Sequence, residues 1–173
     1  MLENQENIYI IPIFIPYMVF NQENIFHIQN KEDNSKTKAI TKQKVKKIID
    51  TYLENQKEDV YKEVVFWGGN FTKLDKKLQE ELLKLVYEYI EKKQINSIAV
   101  TASPEDINKD LLKELKKYKV KTIELGVQSA NNYILKRSNR GHTFEDVKKA
   151  SKLIRRYRFD LGHQMMVGLP EST

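Results

Sequence analysis

The sequence predicts an α/β protein with about five parallel strands and helices packed outside them. Short apolar runs rich in β-branched residues alternate along the chain with longer stretches of helical periodicity. The connections between the apolar runs are long enough to hold a helix, and crossovers of that length join parallel strands. The chain has 173 residues, of which 40% are hydrophobic, and this suits one domain with a sizeable core.

Five segments are predicted as strands. The first is Ile8–Ile15, and the others cover residues 63–67, 97–101, 121–127 and 161–167. Proline removes a donor from the hydrogen-bond ladder, so Pro12 predicts that the first strand lies at a sheet edge or carries a bulge.

Four helices are predicted between and beside these strands. Two cover residues 44–55 and about 75–92, a third carries Leu112 and Leu115, and a fourth carries Val147 and Ile154. Thr72 with Asp75, and Thr143 with Asp146, have the spacing of capping pairs. This periodicity fits an open doubly wound sheet and part of a barrel equally well.

Charge and composition limit the function classes. The net charge of +6 suits RNA or another polyanion, but lysines interleaved with glutamates on solvated helix faces give a plainer explanation. Since no apolar run is long enough to span a bilayer and the first residues are polar, we expect no membrane partner and a cytoplasmic location. The chain has no cysteine, so thiolate chemistry and disulfides are excluded.

Several glycine-containing motifs follow the predicted strands. Gly68 and Gly69 follow the second strand, where glycines let the backbone approach a ligand and offer N–H groups to an anion, although Gly-Gly also forms ordinary turns. The other motifs are IIPIFIPYM, IELGVQS, SNRGHT and QMMVGLPEST. Together, in this order, they resemble the radical S-adenosylmethionine (SAM) superfamily, nearest to the Elongator catalytic subunit branch and more distantly to oxygen-independent coproporphyrinogen oxidases. The resemblance implies that residues 1–173 form a single incomplete (β/α) barrel domain.

The same resemblance shows what the chain lacks. Family members hold a [4Fe–4S] cluster through a C-x3-C-x2-C stretch after the first strand, and Phe20, Asn24 and His27 occupy the three cysteine positions here. Only His27 can bind iron, and soft thiolates are the donors that such clusters need. We therefore expect no catalytic residue and no bound cluster. We also expect no metal site from His27, His142 and His163.

Six residues match family positions that contact SAM. Each also has a purely structural explanation: Gln128 can hydrogen-bond internally, Arg140 can pair with a carboxylate, and the segment around residue 167 can simply end a strand. SAM stays a candidate ligand, and no cofactor is predicted as bound. The matching residues are Gly68, Gly69, Gln128, Arg140, Gln164 and Val167.

Three functions remain open from the sequence. The first is a degenerate, non-catalytic radical SAM-like domain that acts as a scaffold or binds a partner. The second is a radical SAM enzyme of tRNA or cofactor modification whose cluster is supplied in another way, and the third is an RNA-binding module. We expect self-association through the exposed strands Ile8–Ile15 and 161–167, or pairing with the remainder of a longer protein.

Overall fold

A computed structural model describes residues 8–16, 40–56 and 60–171. Its strands are β1 (Ile8–Ile15), β2 (Tyr61–Gly68), β3 (Ser97–Ala102), β4 (Val120–Gln128) and β5 (Asp160–Met165). Its helices are α1 (Lys42–Asn55), α2 (Lys76–Glu91), α3 (Lys109–Lys117), α4 (Asn132–Arg137) and α5 (Phe144–Arg156). Two 3₁₀ turns, Phe71–Lys73 and Pro104–Asp106, follow β2 and β3.

The five strands form one parallel sheet in the order β1-β2-β3-β4-β5, which is also their order in the chain. Right-handed crossovers that always advance in the same direction place their helices on one face of a sheet. A doubly wound sheet instead reverses its strand order at a switch point. The topology is therefore that of part of a (β/α) barrel, which periodicity alone did not decide.

The helix-covered face of the sheet, called the outer face below, holds the hydrophobic core. Side chains of alternate residues point to it, and those of β1 and β2 are fully buried against α1 and α2. The core side chains of β1 to β4 on this face include Ile11, Ile13, Ile15, Val64, Phe66, Ile98, Val100, Ile123 and Leu125.

Most of the predicted elements are confirmed, with bounds that differ by a few residues. Pro12 does lie on an edge strand, since among the described residues β1 pairs only with β2. α4 was not predicted, because six residues are too few to display a helical period. No helix within the described parts of the chain has the length and apolar character needed to cross a membrane.

The two predicted capping pairs have different outcomes. Thr143 and Asp146 form a reciprocal capping box at the start of α5, as predicted. The pairing of Thr72 with Asp75 is wrong: Asp75 caps α2 by itself, accepting from the N–H groups of Lys77 and Leu78. Thr72 lies in the preceding 3₁₀ turn and bonds elsewhere.

Candidate site at the carboxyl edge of the sheet

The Gly-Gly pair is required by close packing of β1 against β2. Gly68 has φ +91°, and a Cβ there would lie 2.4 Å from the ring of Phe14. A Cβ on Gly69 would lie 2.9 Å from two main-chain carbonyl oxygens, those of Ile15 and Pro16. The Gly69 N–H donates to the Ile15 carbonyl (2.8 Å), and its own carbonyl accepts from the Thr101 hydroxyl (2.8 Å). The Gly69 N–H is thus engaged within the protein and does not face an anion.

A polar network joins the loops that follow β2 and β3. The side-chain amide of Asn70 donates its N–H to the Ser103 hydroxyl. The side-chain oxygen of Asn70 accepts from the Thr72 N–H (3.0 Å). The Thr72 hydroxyl donates to the Asp106 carboxylate over 2.6 Å. Lys73 also donates to Asp106, over 2.6 Å, and lies 3.4 Å from the Glu105 carboxylate. These contacts fix the two loops to each other.

Lys73 is held in its charged form by this network. Burial opposes the charge of the ammonium group, but the hydrogen bond to Asp106 and the charges of Asp106 and Glu105 outweigh burial and leave the pKa of Lys73 raised. Sequence reasoning missed this network. The only available signal was the cluster of cap-type residues, Asn and Ser, directly after two predicted strands.

His142 is a buried residue directly before the Thr143 cap of α5. Its Nε2 lies 3.2 Å from the Val127 carbonyl oxygen, and its Nδ1 lies 3.7 Å from the Glu105 carboxylate. His163 is exposed on β5, and its Nε2 lies 2.9 Å from the Ser151 hydroxyl. Among the described residues, no three ligand-type side chains converge on a metal site. His27 lies outside those residues.

Gln128 carries a buried polar atom without a partner at this edge. It ends β4 with φ 68°, a left-handed conformation that is uncommon outside glycine and asparagine. Its side chain is 6% exposed, and its Oε1 has no hydrogen-bond partner. The Gln128 carbonyl accepts from the Met166 N–H (3.0 Å), where the β4–β5 register shifts. A buried acceptor without a donor is costly and fits a bound donor group.

The other residues that match SAM-contacting positions lie in separate places at the same edge. Gln164 is exposed on β5 opposite Gly126, where a Cβ would lie 3.4 Å from the Gln128 amide nitrogen. Arg140 is half-buried in the turn that follows α4. Val167 is fully exposed. Gln164 and Val167 lie nearest to Gln128, since Gln164 pairs with Gly126 and the residue before Val167, Met166, donates its N–H to the Gln128 carbonyl. Gly68 and Gly69 lie two strands away from Gln128, about 10 Å.

Hydrogen bonds join the turn after β5 to α4. Leu169 is buried, and the Glu171 carboxylate accepts from Arg137 Nε (3.0 Å) and Nη2 (2.7 Å) and from the Tyr133 hydroxyl. The hydrogen bonds from Tyr133 and Arg137 lower the pKa of Glu171. This segment thus has a structural role that explains part of the QMMVGLPEST motif.

Phe20, Asn24 and His27, which the resemblance places at the family's cysteine positions, lie outside the described residues. Their chemistry is fixed by the sequence. Phenylalanine has no donor atom, and asparagine offers a hard neutral oxygen, so one candidate ligand remains for a cluster that needs three. The donor set does not fit a [4Fe–4S] cluster.

Comparison with known proteins decides the family. A sequence profile described as the Radical SAM superfamily matches residues 26–173. The chain belongs to the radical SAM superfamily. Members of this superfamily ordinarily bind SAM and a [4Fe–4S] cluster, and this member has no cysteine.

Curated relatives of two kinds match the chain. The chain is 27% identical over 133 residues to the heme chaperone HemW of Lactococcus lactis, covering 72% of this chain and 35% of the relative. It is 24% identical over 128 residues to a tRNA uridine(34) acetyltransferase of Methanocaldococcus infernus, covering 64% of this chain and 24% of the relative. The chain thus spans between a quarter and about a third of these relatives' length.

Solved structures confirm the fold. The Elp3 protein of Methanocaldococcus infernus superposes with a TM-score of 0.65 at 19% identity, over 97% of this chain and 40% of the other. Coproporphyrinogen III oxidase (HemN) of Escherichia coli gives a TM-score of 0.62 at 20% identity, over 97% and 39%. The predicted resemblance to both branches is confirmed.

Proposed function

We propose that this chain is a non-catalytic radical SAM-fold domain, a pseudoenzyme that works by binding a partner in the cytoplasm. The observation that carries the proposal is the complete absence of cysteine from a chain that spans the segment corresponding to the family's cysteine motif. Without three thiolates, the iron that SAM normally chelates is not retained, so the radical chemistry of the family has no initiator.

SAM binding is expected to be weak for the same reason. The cluster ordinarily holds the methionine end of SAM, and loss of that chelation removes several kcal/mol of affinity. What remains is the nucleoside side of the pocket, where the unpartnered Gln128 Oε1 offers an acceptor to a hydroxyl or amino group. We expect no low-micromolar SAM binding by calorimetry, and residual heat should disappear in Gln128→Leu.

Anaerobic iron and sulfide reconstitution tests the proposal. The wild-type chain should stay colourless and retain no stoichiometric iron or sulfide. The matched variant carries Phe20→Cys, Asn24→Cys and His27→Cys, and it should gain the absorbance of thiolate-to-iron bands if the fold otherwise supports the cluster. A wild-type chain that binds a full cluster would contradict the proposal, and the cysteine variant shows whether the assay can detect one.

We also propose that a polypeptide covers the other face of the sheet, called the inner face below. Ile10, Phe14 and Trp67 are each about half exposed on that face, and β1, which carries two of them, pairs only with β2 among the described residues. Exposed apolar surface beside an open strand edge favours association, either with another copy or with the remainder of a longer protein. Light scattering should give a mass above 20.5 kDa at high micromolar concentration. A monodisperse monomer would contradict self-association.

A further inference from the structure

Three of the helix-to-strand connections at the amino edge of the sheet concentrate the net positive charge of this protein. We call these three the amino-edge turns: residues 91–94 at the end of α2, 116–121 at the end of α3 and 155–160 at the end of α5. Together they hold nine basic and two acidic residues, a net charge of +7, whereas the whole chain carries +6. The remaining residues therefore sum to −1. The basic residues are Lys92, Lys93, Lys116, Lys117, Lys119, Lys121, Arg155, Arg156 and Arg158.

Contacts between the turns make them one surface. Lys116 Nζ donates to the Arg158 carbonyl (3.1 Å), joining the turns after α3 and α5. Lys119 Nζ donates to the Glu91 carboxylate (3.1 Å), joining the turns after α2 and α3. Packed helices lie about 8 to 10 Å apart, so the row of three turns is about 20 Å long. All nine basic residues are exposed.

Three of these basic residues have a left-handed backbone conformation that lysine and arginine rarely adopt. Lys93, Lys119 and Arg158 have φ values of 57°, 58° and 59°, the left-handed position after a helix that glycine usually occupies and asparagine sometimes does. The corresponding residue after α4, at the opposite edge, is Asn139 with φ 52°. Favourable interaction with the helix dipole explains basic residues in a last helical turn, but glycine would relieve strain at the three left-handed positions.

We propose that the amino-edge turns bind the phosphate backbone of RNA without reading its sequence. Lysine ammonium groups contact phosphates as point charges, and a linear row of them matches a linear polyanion. Two of the three aromatic rings in these turns are buried: Lys116 lies 4.7 Å from the centre of the Phe159 ring, and Lys117 lies 5.2 Å from that of Tyr118. The third, Tyr157, is half-buried. Because buried rings cannot stack on bases, the surface offers mainly charge.

RNA fits this surface better than an acidic membrane does. Peripheral membrane binding combines basic residues with apolar side chains that enter the lipid. In the described part of the chain, none of the large exposed apolar side chains belongs to the amino-edge turns. The proposal concerns the opposite edge from Gln128 and does not depend on whether the chain holds a cluster.

Glycine substitutions test the proposal without endangering the fold. The variant carries Lys93→Gly, Lys119→Gly and Arg158→Gly, which removes three charges at positions where glycine is conformationally favoured. The control carries Lys76→Gln, Lys77→Gln and Lys109→Gln, which removes three exposed charges from the helix starts at the carboxyl edge. Fluorescence anisotropy measures binding to an oligouridylate of about 20 nucleotides, between about 50 and 200 mM salt.

The dependence of affinity on salt distinguishes the outcomes. Each phosphate neutralised on a single strand adds about 0.7 to the slope of log K against log salt, so the glycine variant should lose about 2 from the slope and at least about tenfold in affinity. The control should keep the slope of the wild type. Equal weakening in both variants would assign binding to net charge and overturn the proposal. Undetectable wild-type binding at about 50 mM salt, or tighter binding to phosphatidylserine vesicles than to RNA, would also overturn it.

Discussion

The two faces of the sheet differ sharply, although neighbouring residues build them. On β2, Phe66 points to the outer face and is fully buried, packed 4.9 Å from the ring centre of Phe71. The next residue, Trp67, points to the inner face and is 49% exposed, in edge contact with Phe14. The Phe66 side chain belongs to the packed core, and the Trp67 side chain belongs to a partly exposed apolar surface.

This difference shows that the two sides of the same strands are buried to different extents. The outer face packs against the helices, with core residues at or near 0% exposure. On the inner face, large apolar side chains of β1 and β2 are half exposed. Contiguous apolar surface of this kind is uncommon on proteins that bind no partner. Substitutions should therefore affect folding from the outer face and association from the inner face.

The largest expected effect comes from the adjacent aromatic pair. Phe66→Ala should lower the free energy of unfolding by about 3 to 5 kcal/mol, because it leaves a cavity in a packed core. Trp67→Ala should cost about 1 kcal/mol, because half of that side chain is already in solvent. Denaturant titration of both variants measures the two values. Similar losses would mean that the inner face is also a folding core.

Gln128→Gly should raise the free energy of unfolding by about 1 kcal/mol. Glycine accepts the left-handed conformation and removes a buried acceptor that has no donor, and these gains exceed the entropy that glycine costs. Thermal unfolding in the absence of ligand gives the sign. The control is Gln164→Gly on the neighbouring strand, which should be neutral or destabilising. Destabilisation by Gln128→Gly would show that the side chain stabilises the fold without a ligand.

The cap of α5 should contribute less than the core beneath it. Thr143→Ala removes the side chain that accepts from the Asp146 N–H, and it should cost roughly 0.5 to 2 kcal/mol. α5 packs over β4 and β5, so the loss should appear in hydrogen exchange of α5 before it reaches the strands. The comparison variant is Thr51→Ala on α1, where the hydroxyl only bonds back to the Lys47 carbonyl, and its stability should stay within about 0.5 kcal/mol.

The smallest expected effect concerns the contact between α1 and α2 in the helical layer. Hydrogen bonds from Lys46 and Tyr89 lower the pKa of Asp50 below its usual 3.8. A lowered pKa in the folded state contributes stability above the unfolded pKa, and this contribution is lost as pH falls through the folded value. Wild type should exceed Asp50→Asn in stability at about pH 6 by more than at about pH 3. A gap that does not change with pH would contradict the assignment.

Period and composition predicted β1 and β2 well because buried outer-face residues alternate there with less buried ones, whereas β3 is a short run that is buried throughout. β1 was predicted at its observed bounds, and the missing cysteines were evident from the sequence alone. The sequence did not reveal that Thr72 bonds to Asp106, because a capping spacing is local while the true partner lies 34 residues away. Nor did it show the unpartnered Gln128 Oε1, since burial without a donor depends on how β4 meets β5.

The clustering of the positive charge was also not predictable from the sequence alone. Along the sequence, lysines and glutamates interleave, so solvated helix faces were the plainer interpretation of the excess. Only parallel topology brings the turns after α2, α3 and α5 to the same edge, where their charges add. Sequence distance hides this, because about 25 to 40 residues separate consecutive turns.

The agreement between strand order and chain order has a consequence for biosynthesis. Each new βα unit pairs with the strand made just before it, so no strand must be held open for a later one to insert between neighbours. Chains emerge from the ribosome amino end first, at about 5 to 20 residues per second, which gives each unit time to dock before the next appears. Nascent chains of this protein can therefore fold as they lengthen, one edge strand at a time, with the growing edge always the last to be completed.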